Sequence, residues 1–326
     1  MRQNVRRVCP LILLGAAVCC TGPAQAQQNY PVRPIRLVVP SSPGGGTDIT
    51  ARIIAPKLGE YLGQQVVVEN RPGAGTMIGG EVVARAAPDG YTLLMGISTL
   101  AINPAMYKKV PYDALKDFAP ISQVVALPNI LVTHPSLPVK SVKDLIAFAK
   151  ARPGQINFAS AGVGTNPHLS MELFLSMAGL KMIHVPYKGS GQGVIDLLAG
   201  HVPVMTPSIL TALPYVKNKR LRALGVTSAK RAGGTPDIPT IAEAGVPGYE
   251  AVQWFGVLAP AGTPRPIITR LHGEVVRTLQ AADVRQRLVN DGADPVGSSP
   301  EEFAAFLRAE TTKWAKVVKD IGIQPE

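Results

Sequence analysis

Along the chain, hydrophobic and polar positions repeat one arrangement: a short apolar run, a glycine-bearing turn, then helical spacing. Residues 35–39 are apolar apart from Arg36, meet Pro40-Ser41-Ser42-Pro43 and Gly44-Gly45-Gly46, and give way to helical spacing from Ile49 to Leu62. This predicts a strand, a turn and a helix start. Residues 66–68 repeat it through Asn70-Arg71-Pro72-Gly73-Ala74-Gly75-Thr76 into a helix ending near Ala87, and after Pro88-Asp89-Gly90 residues 91–97 predict the next strand. A polar, proline-punctuated segment (103–117) follows, then two short strands (121–126 and 130–133) separated by Pro128, and a helix over 142–150 with Ser141 as N-cap. A second block starts at 156–159, turns through Ser160-Ala161-Gly162-Val163-Gly164-Thr165-Asn166 and enters a helix over 167–177 with Pro167 in its first turn. Residues 182–185, 202–205, 221–226 and 257–259 predict further strands, 194–199 a helix, and 227–248 a surface connection with one short helix near 241–244. Two amphipathic helices close the chain, 266–280 and 300–319, the latter with Ser299 and Glu302 spaced as a capping box.

Strands alternating with helices predict an α/β chain of parallel sheets covered on both faces. With glycine turns at the strands' carboxyl ends, where open α/β sheets place ligands, two such sheets put a cleft between two domains. The first residues stand apart from this count. Arg2, Arg6 and Arg7 precede an apolar stretch (8–18) and Ala24-Gln25-Ala26, the pattern of a secretory leader occupying 1–26. The stretch is short and interrupted by Pro10 and Gly15, unlike a membrane span. Lipidation at Cys19 or Cys20 is the alternative, against which Val18 and Cys19 are poor preceding residues. All three cysteines (Cys9, Cys19, Cys20) lie in the leader, so the remaining 300 residues have neither disulfides nor thiol chemistry and are held together by burial.

Removal of three arginines and no acid lowers the formal charge from +11 to +8. The basic residues are scattered, and the densest group (Lys217, Lys219, Arg220, Arg222) lacks interleaved aromatics, so nucleic acid is not an expected partner and a solvated surface is. Enzyme signatures are missing: no dinucleotide fingerprint follows Gly44-Gly45-Gly46 or Gly73-Ala74-Gly75, and there is no P-loop and no Gly-x-Ser-x-Gly elbow. His134, His168, His184, His201 and His272 lack metal-ligand spacing, so neither a metal nor a cofactor is expected. The turns suit anion binding instead. Backbone N–H groups from Gly44 to Thr47 sit at a helix start, although the same glycines also serve as a plain tight connection. Gly164-Thr165-Asn166 echoes Gly46-Thr47-Asp48; Ser98, Thr99, Ser160 and Thr165 supply hydroxyls. Asp48 reads as support for the loop, capping the helix and pairing with Arg52; Lys188 is either a ligand contact or a solvated surface lysine. One helix terminus contributes about 0.3–2 kcal/mol toward an anion, whereas micromolar affinity needs roughly 8 kcal/mol. Several turns converging from two domains are therefore required, a geometry suited to a dicarboxylate locked in by domain closure.

The chain resembles the substrate-binding proteins of tripartite tricarboxylate transporters, the Bug family of extracytoplasmic solute receptors. The resemblance rests on Ile35-Arg36-Leu37-Val38-Val39-Pro40 with Gly44-Gly45-Gly46-Thr47-Asp48, Glu69-Asn70-Arg71-Pro72-Gly73-Ala74-Gly75, Asp89-Gly90-Tyr91-Thr92-Leu93-Leu94, and Pro111-Tyr112-Asp113 with Lys116-Asp117-Phe118. It continues through Ser160-Ala161-Gly162-Val163-Gly164-Thr165 with His168-Leu169, Val185-Pro186-Tyr187-Lys188-Gly189, and Trp254-Phe255-Gly256 with Pro260-Ala261-Gly262-Thr263-Pro264. It implies a two-domain periplasmic binding-protein fold of type II kind, without catalysis, in which 27–125 and 252–326 form one domain and 126–251 the other. It places ligand contacts on Ser42, Gly44, Gly45, Gly46 and Thr47, on Ser98 and Thr99, and on Ser160, Gly162, Gly164 and Thr165, with His168, Tyr187 and Thr206 completing the site. The expected ligand is a di- or tricarboxylate or an acidic or amide amino acid, delivered by a monomeric periplasmic receptor to a two-component membrane permease; the alternative is a receptor read by a membrane sensor kinase. Two departures from the family pattern matter. Ser41-Ser42-Pro43 replaces a phenylalanine and an alanine before paired glycines. Met205-Thr206-Pro207 stands where an aspartate often follows the strand, which favours a plain carboxylate over an amino acid.

Overall fold

The computed structural model describes residues 30–320 and 322–325; the leader expected over 1–26 and its cysteines lie outside the described residues. In β1 (Ile35–Val39) Ile35, Leu37, Val38 and Val39 are buried, as a strand covered on both faces requires. Helix α1 (Gly46–Leu62) starts directly on the glycine run and ends at Gly63, whose left-handed φ of 71° lets its N–H reach the carbonyls of Gly59 and Glu60. Then come β2 (Val66–Asn70), a 3-10 turn (Ala74–Thr76), α2 (Met77–Ala84), β3 (Thr92–Ile97) and α3 (Thr99–Met106).

Helix α3 overlaps the segment read as polar and proline-punctuated. It forms in spite of Pro104 because Leu100, Ala101, Ile102 and Met106 join the core, and because the proline sits so near the helix end that only its last turn is affected. The strands expected at 121–126 and 130–133 are β4 (Phe118–Pro128) and β5 (Ile130–Thr133), separated by Asn129 alone. The next elements are α4 (Val142–Lys150), capped by Ser141 Oγ, β6 (Asn157–Ser160), α5 (Asn166–Ala178), β7 (Ile183–Pro186) and α6 (Ser190–Leu198). They lead into β8 (Val204–Met205), α7 (Ile209–Lys217) and β9 (Arg222–Val226). The helix expected near 241–244 is a single hydrogen-bonded turn opened by reciprocal Thr240 and Glu243 bonds of 3.0 Å. The chain ends with β10 (Val252–Pro260), α8 (Arg265–Gln280), α9 (Ala282–Asn290), β11 (Asp294–Pro295) and α10 (Pro300–Asp320). Ser299 and Glu302 form the expected capping box on α10, with bonds of 2.8 and 3.1 Å.

These elements make two α/β domains, one around a six-stranded sheet ordered β11-β4-β10-β3-β1-β2 and one around a five-stranded sheet ordered β7-β6-β8-β5-β9. The sheets are mixed rather than wholly parallel. β1, β2 and β3 run parallel, but β10 is antiparallel to β3 and β4, because these long strands are the paths by which the chain leaves the first sheet and returns. Both passages lie together. Asn129 and Thr227 exchange bonds of 2.8 and 3.0 Å, Ala251 N donates to Thr227 O at 2.8 Å, and Asn166 Nδ2 donates to Val252 O at 3.1 Å. Asn129 Nδ2 also donates to Asn166 Oδ1 (2.7 Å) and Ser170 Oγ (3.0 Å), so buried amides fix the junction on which the two lobes meet.

Candidate functional site

Between the sheets lies a cavity of about 320 Å³, at the lower end of the size range usual for small-molecule sites. Glycine turns from both lobes wall it. From the first lobe come Ser41, Gly45, Gly46 and Thr47; from the second, Gly162 and Thr165 before α5, Gly189 before α6 and Ser190 as its first residue, and Ser208 at the start of α7. The starts of four helices thus reach one space, each bringing N–H groups that have no partner within the helix and the positive end of its dipole.

The first loop is held from behind by Asp48, whose carboxylate accepts from Gly44 N (2.9 Å), Arg52 Nε (3.0 Å) and Asn70 Nδ2 (3.0 Å). The acid is thereby spent on loop support, and Gly45 N donates within the loop to Ser42 O at 3.4 Å. A second wall is the turn before α2. Gly73, Ala74, Gly75 and Thr76 all have positive φ (129°, 47°, 58° and 76°), a conformation costly for alanine and more so for β-branched threonine. Asn103 Nδ2 donates to Gly75 O (3.1 Å), and the hydroxyls of Thr76 and Thr99 share a bond of 2.5 Å, so α3 holds this strained turn in place.

The loop over 162–165 is held likewise. Gly162 N donates to Ser160 Oγ at 3.0 Å, Thr165 Oγ1 donates to Gly162 O at 2.7 Å, and Gly164 N donates to His168 Nδ1 at 3.2 Å. His168 stacks on His184 with ring centres 4.0 Å apart, and Ser160 Oγ lies 2.6 Å from His184 Nε2. Burial, with the neighbouring His168 adding to it, lowers the His184 pKa to about 3, so this ring is neutral at ordinary pH. Tyr187 lines the cavity; its hydroxyl donates to Asp196 Oδ2 at 2.6 Å, and burial together with that carboxylate pushes its pKa up to about 12.

Among the residues expected to contact a ligand, Gly45, Gly46, Thr47, Gly162, Thr165 and Tyr187 line the cavity. Ser42 and Gly44 belong to the same first loop but face a separate outer groove. Ser98, Thr99, Ser160, Gly164, His168 and Thr206 stand behind the wall. Ser98 Oγ accepts from Trp254 N (3.3 Å) and Thr206 Oγ1 donates to Pro167 O (3.1 Å), while the others hold the turns as described. Sequence reasoning did not pick out Ser208, Gln253, Phe255 or Tyr107, which also line the space. Ser41 Oγ, Ser208 Oγ and Gln253 Oε1 are buried without a partner among the described residues, and such groups carry a cost until something bonds to them. The one available signal was Gln253, a lone amide between apolar Val252 and Trp254. Lys188 is the single charged side chain among the described lining residues, which include no aspartate or glutamate; Ile97, Val163, Phe255 and the Tyr107 ring make the apolar part.

The lobes touch across this space. The Tyr107 hydroxyl donates to Val163 O at 3.1 Å, and a Cβ on Gly189 would stand 2.1 Å from Ser42 Oγ. Two sheets flanked by helices, joined by paired crossing strands and meeting over a cavity walled by helix starts, define the two-domain fold of solute-binding receptors.

The comparisons give the family. The tripartite tricarboxylate transporter family receptor profile matches residues 50–323, and the chain belongs to that family of solute-binding receptors, which are not enzymes. The chain is similar to protein BugT of Bordetella pertussis, 40% identical over 98% of this chain and 99% of that protein. Among solved structures it is similar to R. palustris Rpa4515 with adipate (TM-score 0.89, 40% identity, covering 91% of this chain and 100% of that one). It is also similar to MatC (Rpa3494) from Rhodopseudomonas palustris with bound malate (TM-score 0.83, 33% identity, covering 89% and 100%).

Proposed function

We propose that this receptor captures an aliphatic dicarboxylate lacking an amino group and delivers it, in the periplasm, to a two-component membrane permease. The observation that carries the reading is the composition of the cavity wall: helix starts and glycine loops from both lobes, an apolar middle and, among the described residues, one lysine and no acid. Helix starts on opposite lobes suit two carboxylates, Ile97, Val163 and Phe255 suit the methylenes between them, and an ammonium group would find no carboxylate to pair with. Similarity to proteins solved with adipate and with malate supports the same ligand class. Domain 1 (27–125 with 252–326) and domain 2 (126–251) act as the two jaws.

Native mass spectrometry tests this on protein purified without denaturation and offered an equimolar mixture of adipate, malate, aspartate and glutamate. Retention of adipate or malate is the expected result. Retention of aspartate or glutamate alone overturns the reading.

A further inference from the structure

The contact between Ser42–Gly45 and Gly189–Gly191 has two sides. Inward, Gly45, Gly189 and Ser190 face the cavity; outward, Pro43, Gly44 and Gly191 form the floor of a separate surface groove of about 440 Å³. The two stretches are in direct contact, since a Cβ on Gly191 would stand 2.5 Å from Pro43 O. One wall of the groove comes from the first lobe (Ile49) and the other from α6 and α7 of the second (Ile195, Leu210, Pro214). Ser42, Pro43, Gly44 and Ile49 supply the first-lobe side of the groove, so parting the lobes removes that side and leaves the α6 and α7 side exposed.

The groove has a definite chemistry. Ile195 is 65% exposed, on a helix that buries Val194 and Leu197, and presents aliphatic carbon at the groove. Among the described residues no acid lines the groove, Arg220 does, and Lys217 and Lys219 stand exposed beside it. Lys217, Lys219 and Arg220 have no carboxylate partner among the described residues, Lys217 donating to Asn290 O (3.3 Å) and Arg220 lying over the Tyr215 ring (5.7 Å), whereas Arg52 and Arg287 on the neighbouring surface are paired with Asp48 and Asp291. A basic rim lacking carboxylate partners, beside exposed aliphatic carbon, selects a segment with acidic side chains flanking an apolar one.

We infer that this groove docks the permease, through an acidic, apolar-bearing segment of its periplasmic face, and that it does so only in the ligand-loaded form. The inference rests on the solute-receptor reading above. Loading and docking are coupled because one seam closes the cavity on its inner side and assembles the groove on its outer side.

The test uses the native host lacking its own copy of this chain and complemented with full-length variants, reading uptake of radiolabelled adipate, with calorimetric adipate affinity measured on each purified variant. Ile195→Glu and Arg220→Glu each lower uptake at least tenfold with affinity within twofold of the unaltered chain; Arg220→Lys keeps uptake, as does Ile183→Glu at an exposed apolar site outside the groove. Unchanged uptake in both Ile195→Glu and Arg220→Glu overturns the docking face alone. Failure of the unaltered chain to bind adipate or restore uptake overturns the underlying receptor reading, and the docking face with it. Replacing Ile195 by p-benzoylphenylalanine and illuminating adipate-fed cells separates the occupants: a crosslink to a permease subunit supports the inference, and a crosslink only to a second copy of this chain overturns it.

Discussion

Gly46 and Gly189 show what single residues decide here. Gly189 has φ +148° and faces Ser42; Gly46 sits in ordinary helical conformation, yet a Cβ there would stand 2.3 Å from Ser208 Oγ and 3.3 Å from Phe255. Alanine at 46 therefore meets no backbone strain; its severe contact is Ser208 on the opposite lobe, and Phe255 on β10 of its own lobe has to give by only a few tenths of an ångström. Gly46→Ala is expected to leave unfolding by urea unchanged or raise stability by up to about 1 kcal/mol, the glycine-to-alanine helix increment, while weakening dicarboxylate binding at least tenfold; unaltered affinity would show that the lobes do not need this contact. Much at this scale was legible. The spacing of Asp48 and Arg52 already predicted their pair, and three glycines in a row announced a turn. Ser208 was not legible, because its importance comes from a residue 162 positions away in sequence, Gly46, and no local pattern encodes that approach.

At the scale of elements, the sequence read best where apolar period and caps agree. Helix α4 was expected over 142–150 and is found at Val142–Lys150, with Ser141 Oγ accepting from Asp144 N. Helices α3, α7 and α9 were not expected. α3 and α7 each carry an internal proline and a mostly buried face, so neither has the polar and apolar alternation that marks an amphipathic helix. Missing α3 and α7 also hid Tyr107 and Ser208 from the site. The pairing of β7 with α5 leads to a pH prediction. His184 on β7 has its pKa lowered to about 3 from the ordinary 6.5 by burial and by His168 on α5. Between these values the unfolded chain takes up a proton that the folded chain refuses. The stability this group allows is complete above pH 6.5 and is lost as the pH falls toward 3. Urea midpoints are expected to drop between pH 6.5 and 5, a window above the range where most carboxylates titrate, and His184→Gln should flatten that slope. An equal slope in the variant would assign the effect to other groups.

Across the whole molecule, function follows from placing helix starts of two lobes around one cavity and joining the lobes through the Asn129 and Thr227 crossing. The α/β class and the glycine loops could be read directly from the pattern. The mixed strand direction could not, since it depends on where the chain crosses between sheets, and a lone asparagine between two apolar runs gives no direction. The cavity wall sets the central claim: two carboxylates held by opposite lobes, an apolar span between them, and no partner for an ammonium. Calorimetric titration with adipate, hexanoate and 2-aminoadipate measures each part of that claim on one carbon skeleton. The account predicts that adipate binds most tightly, that hexanoate binds at least a hundredfold more weakly for want of its second carboxylate, and that 2-aminoadipate binds at least tenfold more weakly for its unpaired ammonium. Equal or tighter binding of 2-aminoadipate would contradict it.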